Sequence, residues 1–169
     1  YIKAGAVNEL AVRLENYNES SRWYPGAGLY RNVHLVVTEN AYVPEWGTQI
    51  MTTEIGPKHA DVTQTTEFVV PEGKQFSDYR IHTQIFDPQG KLAAEAEKAG
   101  TEYDNNVFEQ DFLVKDPQLW TMDTPNLYTS VSRIYEGNTL KDEYKSIFGI
   151  RTVKVEGDKG FFLNGERVV

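Results

Sequence analysis

The sequence predicts an all-β chain whose central part is an antiparallel β-sandwich. Apolar and polar residues alternate with a period of two, as they do in a strand with one buried face. Turn signals rich in Pro, Gly, Asn and Asp separate the runs, a spacing that fits a sandwich better than βαβ units. The predicted strands are 48–55, 61–70, 79–86, 91–99, 107–114, 127–135 and 141–150.

The fourth of these runs contains strong helix formers, in the segment LAAEAEK at 92–98. Ala94 and Ala96 nevertheless alternate with Glu95 and Glu97, and we therefore predict a strand.

The first 38 residues predict a separate piece of β structure. Leu10, Val12 and Leu14 alternate with polar residues and predict one strand, and the run NVHLVVT at 32–38 predicts a second. Between them, residues 16–28 read as an exposed loop that carries Trp23. A connection at 39–46, with Pro44, marks the expected boundary to the sandwich.

The C-terminal stretch GFFLNGERVV predicts a β-hairpin. Asn164 and Gly165 tolerate the positive φ angles of a type I′ turn between two apolar runs.

Charge and composition exclude several classes of function. The 169 residues carry a net charge of −8 and contain no Cys, which argues against nucleic acid, anionic membranes, disulfides and thiolate metal sites. No apolar run approaches the roughly 20 residues of a membrane span, so we expect a soluble chain, in the cytoplasm or the periplasm. It opens at Tyr1 in strand-like alternation, without a signal peptide, and we expect it to be part of a longer protein.

No catalytic or metal-binding motif is found, and we expect neither a metal nor another cofactor. His34, His59 and His82 lack the spacing of metal ligands, and Gly-x-Ser-x-Gly is absent. The triplet 104–106 (Asp-Asn-Asn) predicts a turn rather than a Ca²⁺ site. Trp23 could stack on a sugar or pack in the core, and both readings stay open.

Three blocks in order resemble glycoside hydrolase family 2, the β-galactosidase and β-glucuronidase type. SRWYPGAGLYRNV at 21–33 resembles the end of that family's sugar-binding jelly roll. PQLWTMDTPNLY at 117–128 resembles a block of its immunoglobulin-like second domain. FGIRTVKVEGDKGFFLNGERVV at 148–169 resembles the lead-in to its catalytic (β/α)₈ barrel.

The resemblance implies three parts: the end of the jelly roll at 1–38, an immunoglobulin-like sandwich at 39–151 and a lead-in hairpin at 152–169. It also implies a retaining mechanism with two glutamates on the barrel, beyond Val169, so no catalytic residue is expected in this chain. Arg22 stands where the family often has a sugar-binding Asp, and Arg22 and Trp23 are the candidate substrate-binding residues. The expected structural and junction residues are Gly28, Arg31, Trp120, Tyr128, Gly149, Arg151, Asn164 and Gly165.

The function expected from the resemblance is a non-catalytic scaffold within a β-galactosidase-like exo-glycosidase. Its expected partners are a carbohydrate substrate, the enzyme's own jelly-roll and barrel domains, and a second copy in a homo-oligomer. The alternative is a free-standing immunoglobulin-like module that binds glycans or proteins through the Trp23 loop.

Overall fold

A computed structural model describes residues 2–3, 5–19, 28, 32–101 and 105–168. The chain divides into two compact units, Tyr1–Val36 and Val37–Val169. All of the regular structure in the described residues is β structure, apart from the 3₁₀ turns Phe76–Asp78 and Gly157–Lys159. The all-β prediction is therefore confirmed.

The second unit is built on a sandwich of two antiparallel sheets. One has the order β1-β2-β5 and the other the order β4-β3-β6-β7. All seven predicted sandwich strands are present, and the Ala-rich and Glu-rich run is indeed a strand. Their bounds are β1 Thr48–Ile55, β2 His59–Glu67, β3 Tyr79–Phe86, β4 Leu92–Ala99, β5 Val107–Lys115, β6 Tyr128–Glu136 and β7 Thr139–Phe148.

The strand order is that of an immunoglobulin-like sandwich with its fourth strand in the larger sheet. In the constant-type immunoglobulin arrangement the fourth strand belongs to the sheet of the first two strands. Here β4 pairs with β3, from Arg80 opposite Ala99 to Phe86 opposite Leu92. The smaller sheet therefore has three strands and the larger one four.

The interior of the sandwich has three layers along the strand direction. The aromatic cluster lies at the end where β1 begins and consists of Ala41, Val43, Phe68, Phe76, Tyr79, Ile81, Phe108 and Ile134. The junction cluster lies at the end where β7 stops and consists of Ala60, Val62, Ile85, Phe112, Val114, Tyr128 and Ile150. Between the two, the same strands bury a polar layer of Gln64, Thr66, Thr83, Gln110, Ser130 and Ser132.

A small third sheet follows the sandwich. Its strands are β8 Val153–Glu156, β9 Gly160–Leu163 and β10 Glu166–Val168, in the order β10-β9-β8. Leu163 pairs with Glu166, so Asn164 and Gly165 form the two-residue turn. Their φ angles of 51° and 81° are the positive values of the predicted hairpin, which is confirmed.

The strands predicted in the first unit are wrong for the residues described. Residues 5–19 and 32–39 include no strand, and the side chains of Leu10, Val12 and Leu14 are 80%, 54% and 51% exposed. Alternation produces a strand only where a neighbour supplies backbone hydrogen bonds and a second layer covers the apolar face. The described part of this unit provides neither.

Candidate domain-junction site

Trp120 lies at the junction end of the sandwich, in the loop between β5 and β6. Its backbone N–H donates to the Ile150 carbonyl at 2.9 Å. The loop is fixed from within, because the Asn126 side chain donates to the Leu119 carbonyl at 3.0 Å and the Thr124 N–H donates to the Thr121 hydroxyl at 2.9 Å. The indole is thus held against the end of β7.

Gly149 is the residue that lets the Trp120 ring approach the chain. A Cβ at position 149 would lie 2.7 Å from the Trp120 Cβ and 2.8 Å from its Cγ. No side chain fits there without displacing the tryptophan, so the close approach requires glycine.

Arg151 covers the same ring. Its guanidinium carbon lies 4.5 Å from the centroid of the Trp120 ring, within the range of a cation–π contact. Its backbone N–H donates to the Thr52 hydroxyl of β1 at 3.3 Å. The residue therefore contacts both the indole and the smaller sheet.

Asn164, at the turn of the β9–β10 hairpin, ties the third sheet to the sandwich. Its side-chain amide donates to the Trp120 carbonyl at 3.0 Å, and its side-chain oxygen accepts from the Thr152 N–H at 3.0 Å. Its own N–H donates to the Thr152 carbonyl at 2.9 Å. Three hydrogen bonds from one turn residue thus hold the hairpin against the loop of Trp120 and the segment that follows β7.

Tyr128 closes the core beneath this site. It is 1% exposed, and its hydroxyl accepts a hydrogen bond from the Gln118 N–H at 2.8 Å. Burial raises the pKa of the Tyr128 phenol, although the Gln118 N–H opposes that shift. The phenol is therefore neutral near pH 7 and serves as a packed ring with a satisfied polar end.

The structure brings five of the predicted junction residues into one neighbourhood. They are Trp120, Tyr128, Gly149, Arg151 and Asn164, with Gly165 completing the hairpin turn. Gly28 is exposed, and a Cβ added to it would meet no atom within 4 Å. Arg22, Trp23 and Arg31 lie outside the described residues.

Sequence reasoning missed the part that Thr52 and Thr152 play in this junction. Neither belongs to a motif, because their contribution is one hydroxyl and one peptide group placed by long-range packing. For Asn164, the sequence predicted the turn but not the hydrogen bonds of its side chain. The sequence feature that indicates these side-chain hydrogen bonds is Asn, rather than Gly, at the first turn position. Asn adopts the same positive φ and also carries two hydrogen-bonding side-chain atoms.

The contacts of the junction hold several segments of the chain together. The side chains of Tyr128 and Asn164 form hydrogen bonds between chain segments, and within the described ranges no buried side-chain nitrogen or oxygen lacks a partner. The same residues contain no group of three or more His, Asp or Glu arranged to hold a metal ion. The described part of the chain also has no helix long and apolar enough to cross a membrane.

Comparison with known proteins decides the family. The model of the family described as Glycosyl hydrolases family 2 matches residues 47–151, which is more than half of the chain. The chain belongs to glycosyl hydrolases family 2. The matched segment runs from the turn before β1 to Arg151, and so covers the sandwich and most of the junction.

Relatives in glycosyl hydrolases family 2 extend the match over almost the whole chain. The beta-galactosidase BoGH2A of Bacteroides ovatus is 37% identical over 170 residues, which cover 99% of this chain and 20% of that protein. A beta-glucuronidase of Formosa agariphila is 29% identical over 191 residues, which cover 99% of this chain and 19% of that protein. The chain thus spans about a fifth of the length of these relatives.

A solved structure of a beta-glycosidase from Bacteroides vulgatus shares the fold. It superposes with a TM-score of 0.73 at 28% identity, over 87% of this chain and 18% of that one.

Proposed function

We propose that the chain is the non-catalytic, immunoglobulin-like scaffold of a retaining exo-glycosidase that hydrolyses β-glycosidic bonds, with a β-galactoside as substrate. The proposal divides it into the end of a sugar-binding jelly roll at 1–38, the sandwich at 39–151 and a lead-in to a catalytic barrel at 152–169. In a retaining enzyme the acid/base and the nucleophile are two carboxyl groups. The proposal places both on the barrel and none in this chain.

One observation carries the proposal: the family match ends at Arg151, where the structure ties the sandwich to the next segment. Ala41 and Val43 pack at the aromatic end, whereas Ile150 packs at the opposite end. Within the second unit the chain therefore enters the sandwich at one end and leaves it at the other. A spacer between two domains needs this arrangement.

The preference for a galactoside rests on similarity among relatives. The β-galactosidase of Bacteroides ovatus is 37% identical, whereas a putative β-glucuronidase and a β-glucuronidase of Formosa agariphila are 33% and 29% identical, over nearly the whole chain in each case. Arg22 replaces the expected sugar-binding Asp and can donate but not accept hydrogen bonds. The test below therefore includes acidic as well as neutral sugars.

The experiment is to express the complete reading frame that contains this chain and to assay it on nitrophenyl β-galactoside, β-glucuronide and β-mannoside. We expect the galactoside to be hydrolysed with the greatest kcat/KM, and the 169-residue chain alone to hydrolyse none of them. Turnover by the isolated chain would contradict the non-catalytic role. No turnover by the complete protein on any of the three would contradict the glycosidase assignment.

The proposed partners follow from the same role. They are the carbohydrate substrate, the jelly-roll and barrel domains of the same polypeptide, and a second copy in a homo-oligomer. Sedimentation of the complete protein at two concentrations tests the last of these.

One observation favours a second candidate, a module that binds a glycan or a protein surface. Trp46 is 87% exposed and has a φ of 64°, a conformation that is uncommon for a bulky residue. It borders a cleft of about 480 Å³ between β1 and β7, together with Tyr144 and Ile147. Submillimolar sugar binding by the isolated chain that disappears in Trp46→Ala but not in Trp120→Phe would favour this candidate.

A further inference from the structure

The polar layer crosses the middle of the sandwich and joins its two sheets. In the smaller sheet Gln64 lies directly opposite Gln110, and in the larger sheet Thr83 lies directly opposite Ser132. Gln64, Thr83 and Gln110 are 0%, 0% and 4% exposed. Four polar residues on two pairs of neighbouring strands thus face one another in a region that is otherwise apolar on both sides.

Within the polar layer, three hydrogen bonds between side chains run from one sheet to the other. Gln64 donates to Ser132 at 2.8 Å and accepts from Ser130 at 2.6 Å, and Thr83 donates to Gln110 at 2.7 Å. A fourth bond joins the Gln110 side chain to the Ala96 carbonyl of β4 at 3.0 Å. Each glutamine of the smaller sheet is therefore anchored to the larger one at two points.

The backbone carbonyl of Ala96 determines which atom donates in each side-chain hydrogen bond of Gln110. The Ala96 carbonyl can only accept, so Gln110 must turn its Nε2 toward Ala96 and its Oε1 toward Thr83. The Thr83 hydroxyl then has to donate its one proton to Gln110.

The donors and acceptors in the hydrogen bonds of Gln64 follow from the same constraint. The Thr83 and Ser132 hydroxyls lie 3.1 Å apart, and since the Thr83 proton is already used, Ser132 must donate to Thr83. Ser132 is left with acceptor lone pairs, which receive the Gln64 Nε2. The Gln64 Oε1 therefore faces Ser130 and accepts its proton. Only one arrangement of donors and acceptors satisfies this chain of residues.

We propose that the polar layer is a register lock, a device that selects one alignment of the two sheets at the expense of stability. Sliding one sheet by two residues, about 6.7 Å, keeps every inward side chain inward, and in a purely apolar core it would again place apolar groups against apolar groups. Here such a slip would place Thr83 opposite Phe108 or Phe112 and would leave the Gln110 amide buried without its partners. Buried polar groups of this kind can be retained for specificity rather than stability.

The register lock deepens the proposed scaffold role, because a sheet slip would move the junction end relative to the aromatic end. It is tested on the isolated chain without any activity assay. Failure of the lock and failure of the glycosidase assignment are therefore separate outcomes.

The test is a distance measurement between two spin labels, one on each sheet. The chain contains no Cys, so Glu109→Cys on β5 and Lys145→Cys on β7, both at exposed positions, give two unique labelling sites. The decisive variant replaces the whole layer with apolar residues of similar size. It combines Gln64→Met, Thr66→Val, Thr83→Val, Gln110→Met, Ser130→Ala and Ser132→Ala.

The unaltered layer should give one narrow distance. The sixfold variant should unfold at an equal or higher urea concentration and yet show a second distance or a broadened one, because a slip displaces one label by about 6.7 Å along the strand. One narrow distance equal to that of the unaltered layer would overturn the proposal.

A milder variant keeps the proposal testable if the sixfold variant does not fold. Gln64→Met with Gln110→Met removes the side-chain bonds from the layer to the opposite sheet and keeps all four hydroxyls, and it should broaden the distance in the same way. The matched control is Thr48→Val with Ser146→Ala, which removes a half-buried hydroxyl pair 2.5 Å apart at the edge between the sheets. The control should leave the distance narrow, and equal broadening in both pairs would contradict the lock.

Discussion

The two ends of the sandwich are stabilised by different physical means. The aromatic end is held by ring packing: Phe76 and Phe108 have centroids 4.3 Å apart, and Phe68 and Tyr79 meet edge to face at 4.8 Å. The junction end adds directional contacts, in which Trp120 is held by the chain at Ile150, the guanidinium of Arg151 and the side chain of Asn164. Both ends bury apolar side chains, and the contacts around Trp120 additionally orient the segment that follows the sandwich.

The largest loss in the free energy of unfolding is expected from a substitution at the aromatic end. Phe108→Ala removes a ring that is fully buried, and such truncations cost about 3–5 kcal/mol in the free energy of unfolding. Urea denaturation followed by circular dichroism measures it. Phe161→Ala on the third sheet, where the ring is 40% exposed, is the control and should cost much less. Equal losses would show that burial of the Phe108 ring does not stabilise the aromatic end.

The second-largest loss of stability is expected from a substitution at the junction end that adds a methyl group and removes no contact. Gly149→Ala places a methyl group 2.7 Å from the Trp120 Cβ, and overpacking of this kind costs about 1–3 kcal/mol. The same substitution at Gly157 meets no atom within 4 Å and should be close to neutral. Thermal unfolding compares the two, and a neutral Gly149→Ala would show that Trp120 is not held tightly.

A smaller loss of stability is expected when the contact between the Arg151 guanidinium and the Trp120 ring is removed while the fold is kept. Arg151→Met keeps the length of the side chain but removes the cation from the Trp120 ring, and exposed cation–π contacts contribute about 0.5–1 kcal/mol. Tryptophan emission, to which Trp120 contributes together with Trp23 and Trp46, should shift in the folded state, while the secondary structure should stay unchanged. Lys154→Met, on the third sheet, is the matched control for the loss of a surface charge, and an identical shift there would argue against the stacking.

The smallest expected change in stability concerns two surface carboxylates, Glu136 at the end of β6 and Glu156 on the third sheet. Lys74 and then Lys141 hold the pKa of Glu136 below its ordinary value, and Lys154 and then Lys159 do the same for the pKa of Glu156. A lowered pKa in the folded state stabilises the protein above the ordinary glutamate value of about 4.3 and is lost as the pH falls through the folded value.

The urea midpoint should therefore fall slightly on acidification below about pH 4.3. The part of that fall due to these ion pairs should disappear at high salt, because exposed ion pairs are screened. A midpoint that rises on acidification would have the wrong sign.

The sequence was sufficient for the strands of the sandwich because each carries its own alternation and ends in a recognisable turn. The pairing of β4 with β3 was not predictable, since the choice of sheet depends on contacts between distant segments. The strand predicted from Leu10, Val12 and Leu14 was wrong for a related reason. Their alternation matches that of β2, but the described residues supply no partner strand. The polar layer left a visible signal, because Gln64 and Thr66 stand in phase with the buried Val62 and Phe68.

At the junction, local chemistry predicted the positive φ of Asn164 and Gly165 but not where the Asn164 side chain binds. Its partners are a carbonyl 44 residues away and an N–H 12 residues away. Those contacts exist only once the sandwich has placed Trp120 beside the end of β7.

The most direct test of the junction is the distance between the third sheet and the sandwich. Spin labels at Val155→Cys, on β8, and Glu109→Cys, on β5, report it. Asn164→Gly keeps the positive φ of the turn and removes both side-chain hydrogen bonds, while Asn105→Gly makes the same change at another positive-φ asparagine. We expect one narrow distance for the unaltered junction and for Asn105→Gly, and a broad distribution for Asn164→Gly. A narrow, unchanged distance in Asn164→Gly would contradict it.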